Sequence, residues 1–142
     1  VTQDLVLEAG AVVRYDPSGN VVQEFLLPDS STINSVSIAR SGSDLFLGAR
    51  TLGATLDLGA GPVNTATSAY VVASLSLTSG SLNWSHLLEG GGGTGAPIFP
   101  GLSATSDSVY LGSSGDTALT LGPLSLPFNG GFSSLFVAKL AP

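Results

Sequence analysis

His86 is the only histidine in this 142-residue chain, and no cysteine accompanies it. A lone imidazole invites two chemical readings, a general base or a metal ligand. It stands in Leu82-Asn83-Trp84-Ser85-His86-Leu87, an alternating run that reads as a strand, on the side of the pleat assigned to Leu82 and Trp84. Serines and aspartates abound as partners for a Ser-His-Asp triad, but no Gly-x-Ser-x-Gly elbow is present to raise a nucleophile. A packed or rim histidine needs none of these partners. Paired acids for glycoside hydrolysis would have to face one cleft about 5–9 Å apart. The ten carboxylates, among them Asp16, Glu24, Asp44, Glu89, Asp107 and Asp116, fall mostly at turns and strand ends. That placement suits solvated turn residues.

Other candidates are weighed the same way. Calcium would need several oxygens close together. Asp16 to Asn20 and Asp107 to Asp116 supply oxygens without an Asp-x-Asp-x-Asp-Gly loop, so no cofactor is expected and calcium is the one ion such turns would suit. Gly90 to Gly95 is not a phosphate loop, because no Lys-Ser/Thr follows and no helix succeeds it. Asn83-Trp84-Ser85 spells a glycosylation acceptor on a predicted strand. Trp84 has a functional reading as a glycan-stacking platform and a structural one as a core residue.

Composition narrows the partners. Charged residues make up 10% of the chain, against about 25% in ordinary globular domains. The net charge of −6 argues against nucleic acid and against an anionic membrane surface. No run of about 18 apolar residues occurs, so no membrane insertion is expected. With zero Cys and zero Met, the expectation is a processed protein or a piece of a longer one. Ser, Thr and Gly fill the polar positions, a composition that suits an extracellular or cell-surface location.

The elements that must position these residues are strands. Short runs rich in Val, Leu, Ile, Phe and Tyr are bounded by Gly, Ser, Asn, Asp and Pro clusters, and no helical stripe extends over ten residues. Twelve strands are predicted: Asp4–Glu8, Ala11–Asp16, Asn20–Leu27, Ile33–Arg40, Asp44–Arg50, Thr55–Leu58, Tyr70–Leu77, Ser81–Leu88, Pro97–Ala104, Ser108–Gly112, Ala118–Leu121 and Leu135–Ala141. Gly59 to Ser68 and Gly90 to Gly95 read as loops.

A three-part pattern then recurs with a period of about sixty residues. Asp44-Leu45-Phe46-Leu47-Gly48 answers Ser108-Val109-Tyr110-Leu111-Gly112. Leu56-Asp57-Leu58-Gly59 answers Leu119-Thr120-Leu121-Gly122. Tyr70-Val71-Val72-Ala73-Ser74-Leu75 answers Leu135-Phe136-Val137-Ala138-Lys139-Leu140. The offsets are 64, 63 and 65 residues. One all-β domain, or a fragment of one, is expected over 1–142, with repeat units near 11–70 and 71–134 and a partial unit at 135–142. Val12, Val72 and Val137 should occupy equivalent strands, as should Phe46 and Tyr110. Leu45, Leu47, Val72, Leu75, Val109, Leu111, Val137 and Leu140 should form the shared core.

Several of these segments resemble the secreted bacterial β-propeller repeat family. Val13-Arg14-Tyr15-Asp16-Pro17-Ser18-Gly19-Asn20 is similar to its hairpin, and Gly80-Ser81-Leu82-Asn83-Trp84-Ser85 to its strand with a Trp after the turn glycine. Phe136-Val137-Ala138-Lys139-Leu140 resembles its recurrent Phe-Val-Ala-Lys-Leu strand, and Leu121-Gly122-Pro123-Leu124 its Gly-bearing link. Gln23 stands where the first copy would carry Trp, and Ser74 replaces the basic residue in the middle copy. The resemblance implies antiparallel propeller-like blades; a two-sheet β-sandwich is the structural rival.

The expected function is an extracellular structural or interaction module without catalysis, whose partners are protein, either other copies or neighbouring repeats. Two alternatives stay open. One is a subunit of an extracellular filament or surface layer, joined through strand edges poor in lysine gatekeepers. The other is a carbohydrate-binding module using Trp84. The candidate assembly edge is the strand carrying Leu135, Phe136, Val137 and Leu140, apolar on nearly both faces.

Overall fold

Strands whose successive residues alternate between Leu/Val/Phe and Ala/Ser/Gly can bury both faces, and this property organises the fold. The computed structural model describes residues 5–8, 11–26, 33–52, 55–57, 62–64, 68–90, 101–115, 117–127 and 134–141. Every element among them is a strand: β1 (Leu5–Glu8), β2 (Ala11–Tyr15), β3 (Val21–Leu26), β4 (Ile33–Ser41), β5 (Asp44–Leu52), β6 (Thr55–Asp57), β7 (Pro62–Asn64), β8 (Ser68–Ser76), β9 (Leu82–Gly90), β10 (Gly101–Ala104), β11 (Val109–Gly115), β12 (Leu119–Leu121), β13 (Leu124–Leu126) and β14 (Ser134–Leu140).

The strands form antiparallel sheets, none closed into a barrel. A first sheet has the order β1-β2-β3. A central sheet has the order β13-β12-β9-β8-β5-β4. A third has the order β10-β11-β14, and β6 and β7 pair by themselves. The central sheet is buried on both sides. Val12 and Phe25 of the first sheet pack with Leu45, Leu47, Ala73, Leu75 and Leu77 on one face. On the other, Phe46, Tyr70, Val72, Leu88 and Leu119 pack with Val109, Leu111, Phe136 and Leu140. The period of two does this: Leu45 and Leu47 point one way and Phe46 the other. Each fully buried Leu, Val or Phe contributes about 1.5–3 kcal/mol relative to exposure.

The ladders repeat their register. In β5–β8, Leu45 faces Leu75, Leu47 faces Ala73 and Gly48 faces Val72. In β11–β14, Val109 faces Leu140, Leu111 faces Ala138 and Gly112 faces Val137. The hairpins β2–β3 and β8–β9 also correspond, each with a register shift at the same place, after Arg14 and after Ser74. Their turns are built alike. Asp16 takes the backbone N–H of Ser18 and Asn20 on Oδ1, at 2.8 and 2.9 Å, and the Asn20 amide on Oδ2 at 3.0 Å. In the second turn the Ser76 hydroxyl accepts the N–H groups of Thr78 and Ser79 at 3.2 and 3.3 Å.

Three sequence expectations need correction. Two strands were not expected: β7 lies within the stretch read as a loop, and β13 follows a tight turn at Gly122-Pro123. Gly122 has φ +53°, and the proline ring holds the next φ near −65°, a combination suited to a two-residue hairpin turn. Leu82 and Trp84 do not share a face. The register skips Asn83, pairing Leu75 with Leu82 and Ser74 with Trp84, so Leu82 packs with the first-sheet cluster and Trp84 with the third-sheet cluster. Val137 is 72% exposed and not part of the core; the other seven expected core residues are buried. Val137 pairs with Gly112 on the side of the third sheet turned away from the central one. The predicted positions Asp4, Leu27, Leu58, Pro97 to Pro100 and Gly91 to Gly95 lie outside the described residues.

Candidate functional site

The strand expected to form an assembly edge divides its side chains between two environments. In β14, Phe136 and Leu140 point inward and are 7% and 5% exposed, while Leu135 and Val137 point outward and are 83% and 72% exposed. Lys139 shares the outward side, and its Nζ lies 5.8 Å from the centre of the Tyr110 ring. Small residues complete this face. Gly112 stands opposite both Val137 and Gly101, and Ser103 stands opposite Tyr110. On its other side β14 has no ladder partner among the described residues, whereas β2 and β8 each pair on both sides.

An apolar groove of about 240 Å³ runs beside this strand. One wall is the β12–β13 hairpin, with Leu119, Leu121, Leu124 and Leu126, and the other is Val137 to Lys139. The hairpin is held at its base by pairing of Leu119 with Gly90 and Thr120 with Glu89 at the end of β9. Leu124 and Leu126 are 66% and 44% exposed. Sequence reading missed this wall, although Leu124-Ser125-Leu126 after Gly122-Pro123 carries a short alternation that signals a hairpin arm.

The chemical candidates remain apart from one another. His86 is exposed on β9 and leans on Trp84, with ring centres 5.1 Å apart and the planes tilted by 42°. No acid or hydroxyl hydrogen-bonds to it among the described residues. Trp84 is half-buried and leans on Phe46, 6.0 Å away. Asn83 is engaged: its Nδ2 donates to Asp44 Oδ1 and to Ser74 Oγ, both at 3.1 Å. Among the described residues, no three of His, Asp and Glu gather where they could hold a metal. The Asp16 carboxyl is shifted downward. Hydrogen bonds from the Asn20 side chain, then from the Asn20 backbone, hold its carboxyl below the ordinary 3.8. That is turn chemistry, with the carboxylate accepting three hydrogen bonds from its own hairpin.

The arrangement therefore offers exposed apolar side chains on the third sheet, a strand edge without a ladder partner among the described residues, and a groove between that sheet and the β12–β13 hairpin. These features suit recognition of another β-structure, by backbone pairing along an edge or by packing on a face. Compared with protein-family models, curated proteins and solved structures, the chain matches none.

Proposed function

We propose that the chain is an extracellular or cell-surface structural or interaction module built from propeller-like β repeats, with no catalytic role of its own. The observation that carries the reading is the common register of β5–β8 and β11–β14, in which Gly48 and Val72 correspond to Gly112 and Val137. The same ladders support the resemblance to the secreted bacterial β-propeller repeat. Arg14, Ser74 and Lys139 take one position, and Gln23 and Trp84 another. Sheets stacked face on face are what blades form around a propeller axis. A two-sheet sandwich has two layers, and here the central sheet is covered on both faces. The low charge and the absence of Cys and Met favour the extracellular location.

The filament or surface-layer reading has an observation of its own. β14 has one edge without a ladder partner among the described residues, beside an apolar groove, and such an edge is a template for another strand. Both readings make the last strand indispensable. Deleting Leu135–Pro142 removes Phe136 and Leu140 from the core and every pair of the β11–β14 ladder except Gly115 with Ser134. That loss rivals a typical domain stability of about 5–15 kcal/mol. The truncated chain should therefore fail to fold or to associate, read by circular dichroism and light scattering. A stable, fully folded monomer without those eight residues would sink the module reading.

A further inference from the structure

Two ladders of the chain demonstrate what the edge of β14 receives. Arg14 of β2, Ser74 of β8 and Lys139 of β14 take one position, and β2 and β8 are each completed by the strand that follows them in the sheet. β3 sets Leu26 opposite Ala11, and β9 sets Leu87 opposite Val71. The residue of β14 that answers Ala11 and Val71 is Phe136. Among the described residues, no strand stands opposite it on that side. Directly paired residues of an antiparallel ladder point to the same face. A leucine opposite Phe136 would therefore point inward with it, toward the apolar groove that Leu88, Leu119, Leu124 and Leu126 line beside β14.

We propose that the β14 edge and this groove bind an extended segment of another polypeptide by strand addition, with a leucine of that segment opposite Phe136. The inference deepens the strand-edge reading above and rests on it. The groove decides the form of the occupant. The β12–β13 hairpin fills the layer beneath the added strand, where it extends the central sheet. In a folded second copy the edge strands β3, β4, β10 and β14 are each backed by another sheet. Any of them would bring its backing sheet into the hairpin, whereas a single extended segment brings none. The two ladders also give the chemistry of the neighbouring positions. Opposite the position of Ala138 they carry Glu24 and Ser85, both polar, and opposite that of Lys139 they carry Gln23 and Trp84. An aromatic side chain in the last place would meet the Lys139 ammonium, which already lies 5.8 Å from the Tyr110 ring centre. Backbone bonds to the edge then give affinity, and the leucine in the groove gives register.

The test uses the intact chain and a labelled synthetic peptide with the β9 sequence Leu82–Gly90, read by fluorescence anisotropy. The peptide should bind saturably. Leu87→Ala in the peptide empties the groove, and Leu124→Asp in the chain charges its wall; each should weaken binding by roughly tenfold or more. Leu124 is 66% exposed, so thermal melts should stay unchanged, and Leu126→Asp takes its place if that variant does not fold. Two further peptides carry N-methyl groups on alternate amides. An added strand turns only every second residue's amide to the edge, so one peptide should lose binding and the other should keep it. Absence of binding overturns the proposal, as does equal behaviour of the two methylated peptides. Binding untouched by Leu124→Asp also overturns it, because the peptide would then be exchanging with β9. Self-association of the chain without peptide, abolished by Leu124→Asp, would seat a second copy in the groove; that overturns this occupant and leaves the filament reading standing.

Discussion

The Tyr70 hydroxyl donates a 2.7 Å hydrogen bond to the backbone carbonyl of Ser114, joining β8 of the central sheet to β11 of the third. The same ring meets Phe136 edge-on, at 5.6 Å and 68°. Apolar packing of one sheet on another is non-directional. A buried hydrogen bond with one geometry fixes the two sheets in place.

Tyr70→Phe should therefore cost about 1–3 kcal/mol, because the buried Ser114 carbonyl loses its partner and gains no water. The loss should appear as a lower urea midpoint with an unchanged m-value. Tyr110→Phe, on the uncovered face, should change stability by no more than about 0.5 kcal/mol. Equal effects at the two tyrosines would remove the bond from this role.

Gly90 joins β9 to the β12–β13 hairpin. Its φ is +91°, and a Cβ there would run into the carbonyl of Ala118. Gly90→Ala should cost at least about 1–2 kcal/mol from backbone conformation alone. Amide hydrogen exchange at Leu119 to Leu121 should accelerate, because the hairpin loses its seat. Unchanged protection there would mean that the hairpin is held by its leucines and not by the ladder.

The Asp16 turn carries a pH dependence of known sign. Its carboxyl is lowered in the folded chain, so the stabilisation is complete above the unfolded value of about 3.9 and is lost as pH falls through the folded value. The amide signals of Ser18 and Asn20 should titrate together with a midpoint below 3.8. Asp16→Ala should abolish that titration. A midpoint above 3.8 would contradict the hydrogen bonding described for the turn.

His86→Ala should change stability by no more than about 1 kcal/mol, since the ring is exposed and its contact is with Trp84. Trp84→Ala should cost more, roughly 2 kcal/mol, through the lost burial against Phe46. Any native activity should survive His86→Ala. A several-hundredfold loss in a folded variant would make His86 a general base and overturn the non-catalytic reading.

Most strands were legible from the sequence because alternation over five or more residues leaves a clear period of two. β7 and β13 were not, because each is three residues long and stands at a Gly-Pro pair, Gly61-Pro62 and Gly122-Pro123, which reads as a loop or a link. The sides assigned to Leu82 and Trp84 came out wrong for a local reason. One extra residue at Asn83 shifts the register, and everything beyond it changes face. Val137 shows a different limit. Its likeness to Val72 predicted its ladder position, but burial depends on what lies above the sheet. Val72 lies under the third sheet, and Val137 lies on that sheet's outer side. No sequence signal marks Tyr70 and Ser114 as partners, since they lie 44 residues apart and one contributes only a backbone carbonyl.

The pairing of β12 with β9 has a thermodynamic consequence. The β12–β13 hairpin lies, in chain order, between β11 and β14 of the third sheet, yet it extends the central one. In a linear array whose units meet only through side chains, each unit can melt separately, and its neighbours lose only contact area. Here, unravelling the third sheet would also strip backbone hydrogen bonds from the edge of the central sheet. The nearest-neighbour coupling is raised relative to the stability intrinsic to each unit. Heat should thus unfold the second and third sheets in a single calorimetric transition, while the first sheet, tied to the central one by packing around Val12 and Phe25, is the one placed to fray independently.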